Sequence, residues 1–189
     1  MERLKAEDFY KAFLEKIGKD KNKQILTKNW NETSKYTKIM TQLVIEIGEE
    51  RNYNPAREYW PRVDVAYFDK ETDSNWDEYS MEVAIELENN SGTWNEEFNK
   101  LIAINAGLKV IVTYEDSEVV DLEKWLNSDK ESVFRTFYKS RKYHQLDDKY
   151  LIIFGPTSLN KKETRGTFVG FEFDGKTFKQ LDGELLLAK

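Results

Sequence analysis

Two amphipathic helices are predicted by the spacing of apolar residues in the first part of the chain. Between Ala6 and Lys19, four apolar side chains fall at the spacing of one helix face: Phe9, Phe13, Leu14 and Ile17. A polar stretch covers residues 20 to 34, and an apolar stripe of the same period returns between residues 36 and 51. The pattern therefore predicts one helix on each side of a polar segment.

Strand periodicity replaces helix periodicity from about residue 62. Apolar residues alternate with others across residues 62 to 68, and the sequence MEVAIELE at residues 81 to 88 has the same period of two. Thr93 and Glu96, three positions apart, have the form of a capping box, which predicts a helix through Asn105. The run LKVIVTY at residues 108 to 114 is typical of a strand buried on both faces. We therefore predict an antiparallel strand pair that continues into a β-α-β unit.

The second half of the chain completes the predicted sheet. A helical pattern covers about residues 121 to 141, an apolar strand follows at residues 150 to 154, and two further strands flank the hairpin signal Asp174-Gly175. The predicted fold class is α/β. It has a central mixed sheet with strands at residues 62 to 68, 82 to 88, 108 to 114 and 150 to 154, helices on both faces and a C-terminal β-hairpin. We expect one domain over residues 1 to 189, with its core at about residues 35 to 157.

Composition narrows the classes of function. Hydrophobic residues make up 39% of the chain and aromatic residues 14%, which is enough apolar surface for a folded core. With no cysteine and one histidine, the chain cannot build a thiolate or multi-histidine metal site, so a metal would have to bind oxygen. The net charge of -6 argues against a broad basic surface for nucleic acid. No apolar run is long enough to span a membrane, and we expect a cytoplasmic protein without a membrane partner.

Three acidic residues lie within segments that are otherwise apolar. On a strand, Glu86 and Glu88 point to the same face with roughly 6.5 Å between them. A hairpin register that brings Asp64 beside Glu86 would make the three carboxylates converge, and a hard divalent cation such as Mg²⁺ or Mn²⁺ would relieve their repulsion. The alternative is that Glu86 and Glu88 lie on the solvent face of a half-exposed strand, where alternating acids are common.

The order of these motifs resembles the PD-(D/E)XK, or restriction-endonuclease-like, nuclease superfamily. The matching segments are Arg62-Val-Asp64 on one strand, Ile85-Glu-Leu-Glu-Asn89 on the next, and Trp94 through Leu101 on the following helix. The resemblance covers about residues 35 to 114. It implies a restriction-endonuclease-like core within the predicted α/β fold.

The resemblance also implies roles for individual residues. In that superfamily, the Asp and the first acid of the E-x-K motif bind the metal together with the intervening backbone carbonyl. This implies Asp64, Glu86 and the carbonyl of Leu87 as ligands of Mg²⁺ or Mn²⁺. Glu88 is the remaining acid of the motif and occupies the usual lysine position, which leaves open whether the site is active. Lys100 on the following helix is the candidate replacement lysine.

Other assignments to this site have alternatives. Lys100 has the spacing of an i, i+4 ion-pair partner of Glu96 on an exposed helix face. Family members often add a Glu from the first core helix. Glu46 is the preferred candidate for that position, with Glu50 second and Glu58 a further contributor. Boundary acids of this kind also commonly face water.

The implied function is a metal-dependent nuclease that hydrolyses phosphodiester bonds of nucleic acid, with DNA as the expected substrate. In such an enzyme the metal would hold a phosphodiester oxygen and activate water, and Lys100 would orient that water or neutralise charge. Two alternatives remain from the sequence: a catalytically degenerate member of the same fold that binds nucleic acid or protein, and a plain interaction domain. A homodimer is compatible with each of them, and the sequence leaves the oligomeric state open.

Overall fold

A mixed sheet with helices on both faces organises the computed structural model. The structure describes residues 3–59, 63–70, 81–89, 94–114, 122–128, 149–156, 167–173 and 177–187. The helices are α1 Ala6–Gly18, α2 Asp20–Lys28, α3 Thr33–Glu50, α4 Trp94–Ile102 and α5 Leu122–Ser128. The strands are β1 Tyr53–Tyr59, β2 Val63–Asp69, β3 Met81–Leu87, β4 Ala106–Tyr114, β5 Lys149–Gly155, β6 Thr167–Phe173, β7 Phe178–Gln180 and β8 Leu185–Leu186.

The sheet has the order β1-β2-β3-β4-β5-β6-β7, with β8 paired to β6. β1, β2 and β3 form an antiparallel meander, β3, β4 and β5 are parallel, and β5, β6 and β7 are antiparallel again. The parallel centre follows from the near-continuous apolar sequences of these strands, because a strand covered by helices on both faces buries side chains in both directions. The predicted α/β class, the four central strands, the β3-α4-β4 unit and the C-terminal β6-β7 pair are confirmed.

Helices divide between the two faces of the sheet. On one face, α1 and α3 pack against the side chains of Val65, Ile85 and Val110. On the other face, α4 and α5 cover a second core that includes Ala84 and Ile111. The two faces are therefore distinct environments for any polar side chain that points away from the sheet.

Two elements before β2, and the two-residue strand β8, were not predicted from the sequence. The segment expected to be a polar stretch contains α2, in which Leu26 is the buried residue. The residues after α3 form β1, an edge strand that includes Pro55 and the left-handed residue Glu58. Neither element has a regular apolar stripe, and proline is tolerated at an edge because one row of backbone amides there needs no strand partner.

Several predictions lie outside the described residues. They are the cap at Thr93, the turn at Asp174-Gly175, the helical pattern beyond residue 128 and Arg62 of the strand motif. Within the part of the chain that the structure describes, no helix is long and apolar enough to cross a membrane.

Candidate functional site

β2 and β3 separate at one end of their shared ladder, and a carboxylate fills the gap. Their backbone pairing ends with Val65 opposite Ile85, and the same register continued by one residue would place Asp64 opposite Glu86. Oδ2 of Asp64 instead accepts a hydrogen bond of 2.8 Å from the backbone N–H of Leu87. A side-chain oxygen thus replaces a ladder carbonyl, and the carboxyl group of Asp64 is held against β3.

The backbone of Leu87 faces the same gap. The N–H of Glu88 donates to the carbonyl of Val112 on β4 at 2.9 Å, so the backbone N–H and C=O of Glu88 point toward β4. Successive residues of a strand direct their backbone N–H and C=O groups to opposite edges of the strand. The carbonyl of Leu87 therefore points toward β2, as its N–H does in bonding Asp64.

Glu86 lies beside this gap on the face that α4 covers. Its side chain lies on the same face of β3 as that of Ala84, which belongs to the core under α4. Glu86 itself is only 3% exposed. Nζ of Lys100 on α4 lies 2.8 Å from Oε1 of Glu86. The expected proximity of Lys100 to the acidic strand is therefore present, while its catalytic role stays a prediction.

Lys100 contacts a second carboxylate, one turn earlier on its own helix. Its Nζ also forms an ion pair with Oε2 of Glu97, at i, i+3 spacing. The oxygens of Glu86 and Glu97 that face the ammonium are buried, and each forms an ion pair with it. One partly exposed lysine thus compensates two carboxyl groups from two different elements.

Burial dominates the protonation of Glu86. Removal of the carboxyl group from water raises its pKa, the bond with Lys100 lowers it by less, and the nearby charge of Asp64 raises it again. The pKa of Glu86 rises to about 8 as a result. Loss of solvation therefore favours the protonated form of Glu86, while Lys100 favours its ionised form.

The ammonium of Lys100 keeps its charge. Burial lowers the pKa of Lys100, but the hydrogen bonds and charges of Glu86 and Glu97 more than offset that effect and raise the pKa above its usual value. Lys100 consequently acts as a cation and a hydrogen-bond donor, and it does not serve as a base at neutral pH.

The remaining predicted residues lie elsewhere. Glu88 is half-buried directly after β3. Glu46 is on α3, on the opposite face of the sheet, where its carboxylate lies 2.7 Å from Nζ of Lys16. Glu50 contacts the same lysine, and Glu58 is exposed on the edge strand β1. The structure therefore brings together Asp64, Glu86, Leu87 and Lys100, and it gives Glu46 a different ionic partner.

Sequence reasoning missed two residues near the site. Glu97 is the intrahelical partner of Lys100, where the spacing had suggested Glu96, which is exposed. Thr113 on β4 is 0% exposed and shares the α4 face with Ile111, and its buried hydroxyl group has no hydrogen-bond partner among the residues that the structure describes. The i, i+3 spacing was a usable signal for Glu97, whereas a lone threonine in an apolar strand gives none.

Comparisons with protein-family models, curated proteins and solved structures find no match. Among the described residues, no group of three or more Asp, Glu or His side chains is arranged to hold a metal ion. The donors gathered here are two carboxyl groups and one backbone carbonyl, all of them hard oxygen ligands. The geometry of these groups is therefore the basis on which a function can be proposed.

Proposed function

We propose that this chain is a divalent-metal-dependent nuclease of the PD-(D/E)XK type, acting on DNA. The observation that carries the proposal is the contact between Lys100 and Glu86 beside the carboxyl group of Asp64. Strand motifs supply the two acids, and the helix that follows supplies the cation missing from the usual lysine position. A second support is the order α3, β1, β2, β3, α4, β4, which contains the motif order of that superfamily.

The groups at the gap between β2 and β3 would supply hard oxygen ligands to Mg²⁺ or Mn²⁺. Asp64 uses Oδ2 to bond Leu87, which leaves Oδ1 as a ligand atom, and the carbonyl of Leu87 is directed to the same side. Glu86 would supply the third oxygen after losing its proton. The chemistry that such a cation supplies to this site is Lewis-acid activation of a phosphodiester and of the attacking water.

Charge balance also favours a divalent cation. When ionised, the three carboxyl groups of Asp64, Glu86 and Glu97 exceed the single ammonium group by two negative charges. Two excess negative charges in a partly buried group are costly, and one divalent cation neutralises them. Neutralisation would favour the ionised form of Glu86, so cation binding and loss of its proton are coupled.

Lys100 would stabilise negative charge on the substrate. Its raised pKa keeps it positively charged, and its flexible four-carbon stem lets the ammonium move from Glu86 toward an anionic phosphate. A cation fixed at this distance from the acids lowers the energy of the charge that develops during phosphodiester hydrolysis. Lys100 is therefore proposed as a catalytic residue that orients water or binds a phosphate oxygen.

The test is a cleavage assay on plasmid, linear double-stranded and single-stranded DNA with MgCl₂, MnCl₂ or chelator. We expect metal-dependent cleavage by the unaltered protein and its loss in Glu86→Gln. Glu96→Gln is the matched control, because Glu96 is an exposed acid on α4. DNA binding without cleavage under all metal conditions would reject the nuclease and favour a binding protein of the same fold.

A further inference from the structure

We infer that Glu97 is a positioning residue that retains the ammonium of Lys100 at the site when Glu86 binds a cation. This inference rests on the proposed function, but its main test needs neither metal nor cleavage. Glu97 touches no substrate in this account and acts through Lys100. Its role follows from how the lysine is shared between two carboxylates.

α4 is packed on the sheet, so movement of Glu97 and Lys100 is expected mainly in their side chains. Phe98 and Leu101 are 2% and 0% exposed and anchor the helix on the sheet. Glu97 and Lys100 lie beside that anchor, with side chains 27% and 32% exposed. The ammonium can therefore reach the buried Glu86 on one side and water on the other.

A cation bound by Glu86 would compete with one carboxylate partner of Lys100. Like charges repel, so the ammonium must withdraw from Glu86 as the cation arrives. Without another carboxylate nearby, a long lysine side chain gains rotamer freedom by moving into water. Glu97 remains in contact and is carried by the same helix, so it holds the ammonium within reach of a substrate phosphate.

The first experiment measures how fast acetic anhydride labels Lys100, read by mass spectrometry in the presence of chelator. Glu86→Gln removes the strand carboxylate and imitates its neutralisation by a cation. The variants are Glu86→Gln, Glu97→Gln and the double variant, with Lys149, an exposed lysine at the start of β5, as the internal reference. Glu86→Gln combined with Glu96→Gln is the matched control.

Each single variant should label Lys100 within about twofold of the unaltered protein, because one carboxylate still holds it. The double variant should label Lys100 about tenfold faster, since neither carboxylate then stabilises its charged, unreactive form. Equal labelling in the double variant and in Glu86→Gln would overturn the inference. So would full release of Lys100 by Glu97→Gln alone, because the lysine would then not be shared. Thermal melts check that each variant is folded.

The second experiment measures turnover. Glu97→Gln should lower kcat about tenfold, with KM for DNA and the affinity for Mg²⁺ changed less than about twofold. Glu97→Asp, which restores a carboxylate, should recover part of the lost rate. A change in KM or metal affinity instead of kcat contradicts the positioning role. If the unaltered protein cleaves no DNA, the nuclease proposal fails, and the labelling result alone decides the role of Glu97.

Discussion

Two clusters of like composition, each with one lysine between two glutamates, lie on opposite faces of the sheet. The site cluster consists of Glu86, Glu97 and Lys100, and the helix cluster between α1 and α3 consists of Lys16, Glu46 and Glu50. In the site cluster the most buried member is an acid, and in the helix cluster it is the lysine. This reversal gives the two clusters different chemistry.

The pKa values of the glutamates shift in opposite directions in the two clusters. In the site cluster, burial raises the pKa of Glu86. In the helix cluster, the hydrogen bond with Lys16 lowers the pKa of both Glu46 and Glu50, which remain in contact with water. A solvated carboxylate that pairs with a buried ammonium needs no further cation to balance its charge. A buried acid with a raised pKa gains from a stronger cation, so of the two clusters the site cluster is the one proposed to exchange its partner for a metal.

The largest expected effect separates the two clusters by metal binding. Glu86→Gln should weaken the binding of Mg²⁺ and Mn²⁺ by about 100-fold or more, because it removes a ligand oxygen charge from a site with few donors. Glu46→Gln, in the helix cluster, should change the affinity by less than about twofold. Titration calorimetry of both variants measures this difference, and equal losses would show that α3 contributes to the metal site.

The second effect concerns catalysis. Lys100→Ala should reduce the single-turnover rate of DNA cleavage about 100-fold, while metal affinity changes little, because its charge acts on the reacting phosphate. Lys16→Ala is the matched control, since it also removes a lysine held by two glutamates. A similar loss of rate in both variants would point to general destabilisation rather than catalysis.

The third effect is a difference in pH dependence. The folded-state pKa of Glu86 lies above its usual 4.5, at about 8, so the folded chain binds this proton more tightly than the unfolded chain. The resulting stabilisation is fully present below about pH 4.5 and is lost as pH rises through about 8. In chelator, the free energy of unfolding should fall by the order of a few kcal/mol over that window.

Glu46 and Glu50 have the opposite sign. Their lowered pKa values give a stabilisation that is present above the usual pKa of a glutamate and is lost as pH falls below it. Urea unfolding at several pH values, with Glu86→Gln for comparison, separates the two contributions. Persistence of the loss between pH 5 and 8 in Glu86→Gln would assign it to another group.

The smallest effect is in the helix cluster. Lys16→Met keeps most of the buried stem, and the two glutamates it leaves are exposed enough to be hydrated. We expect a destabilisation of about 1 kcal/mol, measured by urea unfolding at pH 7. Lys38→Met, on the exposed surface of α3, is the control and should change stability by less than about 0.5 kcal/mol.

The central sheet was predictable because its strands have strong local patterns. Alternation marks β2 and β3, and continuous apolarity marks β4 and β5, so these strands could be predicted. The register that places Asp64 near Glu86 was only a condition of the site until the pairing was known. β1 was not predictable, because an edge strand that contains Pro55 and several exposed side chains has no regular apolar pattern.

The site was predictable in part for a similar reason. The strand motif located Glu86, and the helix period located Lys100 near it. Spacing alone could not show that Glu46 faces Lys16, since that contact depends on how α1 packs across α3. It also could not distinguish Glu97 from Glu96 as the partner of Lys100, because both are within one turn.

The strand order also has a kinetic meaning. Asp64 and Glu86 meet within the local meander of β1, β2 and β3, whose strands follow one another along the chain. Lys100 joins them through α4, and it is closer to Glu86 along the chain than Asp64 is to Leu87, so closing its loop costs no more entropy. The acids and the lysine that pairs with Glu86 are therefore all expected to assemble in the local half of the fold, from elements that follow one another between β2 and α4.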